Sequence, residues 1–165
     1  MSSISPQEKK RQIFKFLLED KELFELLDAR NEDGKKITIP DELLGKFVFP
    51  YLKIDYTVED TGTYLGVKID YTNDNPNPVI KSMTVTFLIL SNNKHLLTDT
   101  GDTRTDRIAD RLNQLLVWNH SLGFRFKLYT DQEDPFDETF YYRKVIFTAM
   151  EEDNIKNGKK NTVSG

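Results

Sequence analysis

Few side chains in this sequence have the chemistry to act as catalysts or metal ligands. His95 and His120 are its two histidines, placed just before and just after a stretch of helical periodicity. A metal held between them would need a third ligand, such as Asp99 or Asp102. Asp55, Asp70, Asp74, Asp99 and Asp102 fall at strand ends or in loops, where divalent cations often bind. If they converged with His95, they would suit a small metal-dependent hydrolase. Their spacing matches neither an EF-hand nor a nuclease pattern. The competing reading is surface charge: with 30% charged residues, carboxylates fall near one another by coincidence. No serine lies in a G-x-S-x-G elbow, and there is no phosphate-cradling glycine loop. With no cysteine, disulfides, thiolate nucleophiles and Cys-based zinc sites are excluded. The expectation is a protein without catalytic residues, cofactor or metal, working by contacts between proteins.

Two charged groups are candidates for such contacts. Arg104, Arg107 and Arg111 lie three or four apart, the spacing of one helix face, with Asp106 and Asp110 beside them. Three readings stand: a solvated face, a dock for an acidic patch on a partner, or a phosphate contact. Arginine suits the second, because its planar fork meets carboxylates bidentately. Asp131, Glu133, Asp134, Asp137 and Glu138 form an acidic run, read as a loop that is either solvated or a partner-docking patch. A ring in which the arginines meet the acidic run of a neighbour would be a head-to-tail contact, the kind that closes rings. The net charge of −4 disfavours a protein that grips nucleic acid non-specifically.

The elements that must carry these groups can be read from periodicity. The 165 residues, 38% of them hydrophobic, suit one core. Ser5-Pro6-Gln7-Glu8 reads as a helix start, with Ser5 as cap. Apolar residues from Ile13 to Leu27 recur at three- and four-residue steps, and Asp20 either caps a second short helix or sits within a continuous one. Residues 28–36 are a polar break, and residues 39–45, with a proline at the start and a glycine at the end, read as one or two helical turns. Residues 47–56 read as a strand that either lies at an edge or begins after Pro50, which has no N–H, and is joined through residues 58–62 by a hairpin to residues 63–71. There Leu65, Val67, Ile69 and Tyr71 alternate against a polar face that includes Tyr64. Residues 73–78 are the strongest loop signal. Residues 80–91 read as the central strand, 103–119 as the long helix, and 124–130 and 140–150 as two further strands. From Glu151 the chain is too polar to order itself and reads as a flexible tail. The expected fold is α+β, a mostly antiparallel sheet of about five strands with an N-terminal helix and one long helix packed on it. It forms a single domain over residues 1–150, followed by the tail at 151–165. The polar N-terminus and the short apolar runs predict neither secretion nor membrane insertion.

Four stretches carry a resemblance: IFKFLLEDKELFELL, PDELLGKFVFPYLKI, MTVTFLILSNN with TRTDRIADRLNQLLVWN, and GFRFKLYTD with YYRKVIFTAME. Together they span roughly residues 10–150, with FPYLKI and the T-R-x-D-x-I-A-x-x-L helix as the chief motifs. The chain thereby resembles tailed-bacteriophage neck and tail-completion proteins, most of all tail terminators. The resemblance implies a small α+β subunit of a hexameric ring that caps the tail tube and faces the head connector. It implies a virion neck location after assembly in the host cytoplasm. DNA would pass through the lumen without specific binding. Other head–tail connector or head completion roles stay open. Connector stoppers are mostly β-barrel-like and adaptors mostly helical, so the mixed order favours a terminator.

Overall fold

The structure is a computed structural model describing residues 6–72, 82–117, 122 and 124–151. The Ser5 cap, the loop at 73–78, Trp118, His120, Gly123 and the tail from residue 152 lie outside the described residues. Helix α1 spans Pro6–Leu18 and α2 spans Lys21–Leu27. They are two helices because Asp20 is extended (φ −80°, ψ 116°), and its carboxylate accepts from the Leu23 amide at 2.8 Å. That contact satisfies one of the amides a helix start leaves unpartnered. Helix α2 ends at Asp28, whose φ of 44° is left-handed. A tight excursion around Gly34 leads to the 3-10 turn Pro40–Leu43.

The sheet has five strands in the order β1-β2-β3-β5-β4. They are β1 (Val48–Phe49), β2 (Thr63–Thr72), β3 (Ser82–Asn92), β4 (Phe124–Pro135) and β5 (Phe140–Glu151). The α+β expectation holds, but the sheet is mixed: β1 runs parallel to β2, and all other pairings are antiparallel. The expected hairpin between residues 47–56 and 63–71 is therefore corrected. Strand β1 is an edge, as Pro50 requires, but it stops at the proline instead of starting after it. Pro50 offers no N–H to continue the ladder. The chain then leaves the sheet and crosses back over the face of β2. It passes so close to Gly66 that a Cβ there would lie 2.8 Å from the Tyr51 carbonyl oxygen.

This crossing creates a second, smaller core of Phe49, Ile54, Tyr64, Leu90 and Phe140. Tyr64 is buried in it, so the face of β2 read as polar is apolar at this end. Burial, reinforced by Asp60, pushes the Tyr64 phenol up to about 12. The main core lies on the opposite face. There Leu65 and Val67, then Val85, Phe87 and Ile89, then Val145 and Phe147 meet α1, α2 and α3 (Arg104–Val117). Helix α3 contributes Ile108, Leu112, Leu115 and Leu116, the apolar stripe its periodicity announces.

The acidic run is only partly a loop. Strand β4 continues through Asp131, Glu133 and Asp134 to Pro135, paired with β5, and only Asp137 and Glu138 lie in the turn. Arg143 of β5 lies opposite Glu133 and makes this possible by gathering the carboxylates. The register shifts between Leu128 and Thr130, which marks a bulge on this outer strand. Bulge, carboxylates and terminal proline together blunt an edge that would otherwise invite pairing.

Candidate interaction site

His95 is the centre of a hydrogen-bonded chain that joins three segments. Its Nε2 lies 3.1 Å from the Asp28 carboxylate at the end of α2. Its Nδ1 lies 2.7 Å from the Thr63 hydroxyl, which in turn lies 2.8 Å from that of Ser91. The neutral ring satisfies this pattern by donating from Nε2 and accepting at Nδ1. An acid–imidazole–hydroxyl order is also the grammar of nucleophilic catalysis. Here Thr63 and Ser91 are fully buried on adjacent strands, so no substrate carbonyl can reach either hydroxyl. What the chain does is fasten the α2 terminus and the loop after β3 to the start of β2.

Burial holds the His95 imidazolium below its usual range, and Arg104 and Arg30 add to this, against the opposing pull of Asp28. A histidine depressed in the fold binds its proton more readily when unfolded. The neutral form's contribution is therefore complete above about 6.5 and is lost as pH falls toward the lower folded value. Stability should decline over that window, and His95→Gln should flatten the decline. Urea midpoints at pH 7.5, 6.5 and 5.5 check this, and an unchanged slope in the variant would assign the decline to other groups.

Of the loop carboxylates, Asp70 pairs with Lys68 at 3.2 Å and Asp102 accepts from Thr100 at 3.1 Å. Asp74 lies outside the described residues. Among the described residues, no three histidine or acidic side chains come together as a metal site.

The arginine stripe lies on α3 as its spacing requires, but two of its members are turned to internal work. Arg104 is half-buried and donates to the carbonyls of Leu26 (2.7 Å) and His95 (2.9 Å). Arg111 grips Asp20 with two bonds, of 2.9 and 2.6 Å, and lies 3.1 Å from Glu22. Asp20 thus caps α2 and anchors α3 at once. Among the described residues, the Arg107 guanidinium donates a long bond, 3.4 Å, to the Thr100 hydroxyl. The acidic run is divided in the same way. Asp131 and Glu133 hold Arg143 at 2.7 and 2.9 Å, and the same guanidinium reaches Asp106 of α3. These hydrogen bonds, Asp131 first, raise the Arg143 guanidinium above its ordinary value. Asp137 is spent on its own turn, accepting from the amides of Thr139 and Phe140 at 2.8 Å. Asp134 and Glu138 stay exposed.

Between them, around Pro135, Phe136 stands out of the turn, 49% exposed and edge-on to Tyr56 and Tyr142. At the other edge of the sheet, α1, α2, the 3-10 turn and the chain after β1 enclose an open groove of about 1250 Å³. Phe14, Leu18 and Phe24 line it, with Ile39 (54% exposed), Leu44 (45%) and Tyr51 (43%). The sequence did not single out either feature. Ile39, Leu44 and Tyr51 sit in irregular chain, where no periodicity shows whether an apolar side chain faces inward. The exposed aromatic in an acidic turn was the one available signal for Phe136.

No curated protein matches the chain. The YomW family profile matches residues 20–149, which include β1 to β4, all but the last two residues of β5, and all of α2 and α3. That family is phage-associated. The chain therefore belongs to the YomW family and is a phage-related protein.

Proposed function

We propose that this protein is a structural subunit of a phage neck. In this reading it is a tail terminator whose copies form a ring, six by the resemblance, capping the tail tube and meeting the head connector. The observation that carries the reading is the phage-associated family match across nearly the whole sheet-and-helix body. The α+β architecture supports a terminator over a stopper or an adaptor, which are built mainly as barrels or helices. A net charge of −4 suits a lumen that DNA crosses without sticking.

The arginine stripe enters this reading in reduced form. Arg104 and Arg111 hold α3 to α2, so reversing all three charges would attack the fold together with any contact between copies. Arg107→Glu is the cleaner probe. If the stripe meets a neighbour's acidic residues, this variant should assemble more weakly at unchanged thermal stability. Mass photometry of the purified full chain reads assembly, and circular dichroism reads folding. A wild-type chain that is monomeric at every concentration and missing from virions would refute the ring.

A further inference from the structure

We infer that the groove between α1, α2 and the 3-10 turn is the seat for the β4–β5 turn of a second copy, with Phe136 as the anchor. The inference rests on the ring reading and names the contact that would build it.

Chemistry and placement on the two surfaces agree. The groove has an apolar floor, and its rim carries Lys10, Arg11, Lys15 and Lys21. The rim carboxylates are Glu19, Asp41 and Asp20, and Asp20 is already held by Arg111. Arg11 also lies 3.5 Å from Glu8, and Lys10 donates to the Pro50 carbonyl, so Lys15 and Lys21 are the strongest cations offered to a visitor. The turn has the opposite character. Phe136 projects between the exposed carboxylates of Asp134 and Glu138. An aromatic ring entering an apolar pocket while charges pair at the margin is the usual anatomy of an energetic interface centre.

The turn is also held in shape before it binds. The Phe136 and Asp137 amides donate to the Phe140 carbonyl at 2.9 and 3.2 Å, and the Asp137 carboxylate fixes the next two amides. A rigid anchor loses little freedom on docking. Finally, the groove flanks the β1 edge and the turn joins β4 to β5, at opposite edges of the same sheet. Within one copy Phe136 rests on Tyr56 and Tyr142, beside the smaller core and on the sheet face away from α1 and α2, so a copy does not fill its own groove with its own turn. Such a contact is head-to-tail, and repeated it either closes a ring or runs on as a filament.

The test uses two variants of the full chain. Phe136→Ala removes the anchor and leaves the groove intact. Ile39→Glu with Lys15→Glu spoils the groove and leaves the turn intact. Ile39 and Lys15 are exposed, so the groove variant should melt with wild type. Phe136 also packs edge-on against Tyr56 and Tyr142, so Phe136→Ala should melt slightly lower, and association is compared at a temperature where every variant is folded. Each variant alone should associate at least about 30-fold more weakly than wild type. Mixed together they should form a one-to-one pair that grows no further, because only one productive contact remains between them. Sedimentation velocity reads all of these states.

Wild-type assembly with an unaffected Phe136→Ala variant would overturn this contact, assigning the groove to another occupant, and would leave the ring reading standing. A wild type that joins through Phe136 but makes only open chains would sustain the contact and remove the ring. If the variant mixture gives monomers only, while wild type assembles, the contact is overturned.

Discussion

Asp20→Ala should lower the unfolding free energy by about 3 kcal/mol, a large loss for one exposed-looking loop residue. Two roles end together. The α2 start loses its cap, worth about 1 kcal/mol. The Arg111 guanidinium, with its side chain only 24% exposed, loses a carboxylate that is itself only 12% exposed. Stranding a buried charge completely costs about 3–5 kcal/mol. Here Glu22 stays 3.1 Å from Arg111, and the side chain retains some access to water, so the cost of the lost pair falls to about 2 kcal/mol. Asp20→Asn separates the roles, since asparagine caps equally well but carries no charge. It should lose the ion pair alone. Urea unfolding of the three proteins measures the difference, and a loss below about 1 kcal/mol for the alanine variant would reduce the Arg111 contact to an ordinary surface bridge.

The same pair has a pH signature. The hydrogen bond from Arg111, aided by the Leu23 amide and opposed by burial, holds the Asp20 carboxyl below its usual range. A carboxyl depressed in the fold contributes fully above its unfolded value of about 3.9, and that contribution disappears as pH falls through the folded value. It therefore acts in more acidic solution than the His95 contribution.

Phe147→Ala should cost about 4 kcal/mol, among the largest effects expected of a single truncation in the sheet. Phe147 is fully buried and meets the Phe87 ring edge-on, centroids 5.8 Å apart at 81°. Removing it opens a cavity on the face covered by the helices, between strands too firmly paired to collapse. Leu128 stands directly across from Phe147 in the ladder but is half-exposed on the outer strand. Leu128→Ala should cost less than about 1 kcal/mol. Denaturant midpoints for the two variants check the contrast, and equal losses would mean that the core extends along β4 beyond Phe126 to Leu128.

The residues show why some of this architecture was readable in advance and some was not. Local signals carried the helical stretches and the alternating strands, because periodicity depends on neighbours in sequence. They left open whether Asp20 caps a second helix or sits within one, which its extended backbone settles. The β1–β2 relation was misread because a short connection looks like a hairpin. Whether the chain turns back or crosses a face is settled by Gly66 and the aromatic cluster that forms beneath the crossing. The Asp131–Pro135 stretch looked like a loop because acidic residues avoid strands. Arg143, ten and more residues away, reverses that preference by neutralising them in place. The arginine stripe was placed on the right helix and the right face. Its commitment to Leu26, His95 and Asp20 depends on how α2 packs beside α3, which no spacing within α3 records. The exposed apolar residues of the groove had no pattern to announce them, since Ile39, Leu44 and Tyr51 belong to irregular chain that only the fold brings beside α1 and α2.

The neck reading and the contact between copies meet in one observable, electron microscopy of the neck in virions of a phage that carries this gene. The account predicts a closed ring at the head-proximal end of the tail tube. Its subunit density should fit this five-stranded fold, with the Phe136 turn of each copy seated in the α1–α2 groove of the next. A neck without such a ring, with the protein missing from the particle, would contradict it.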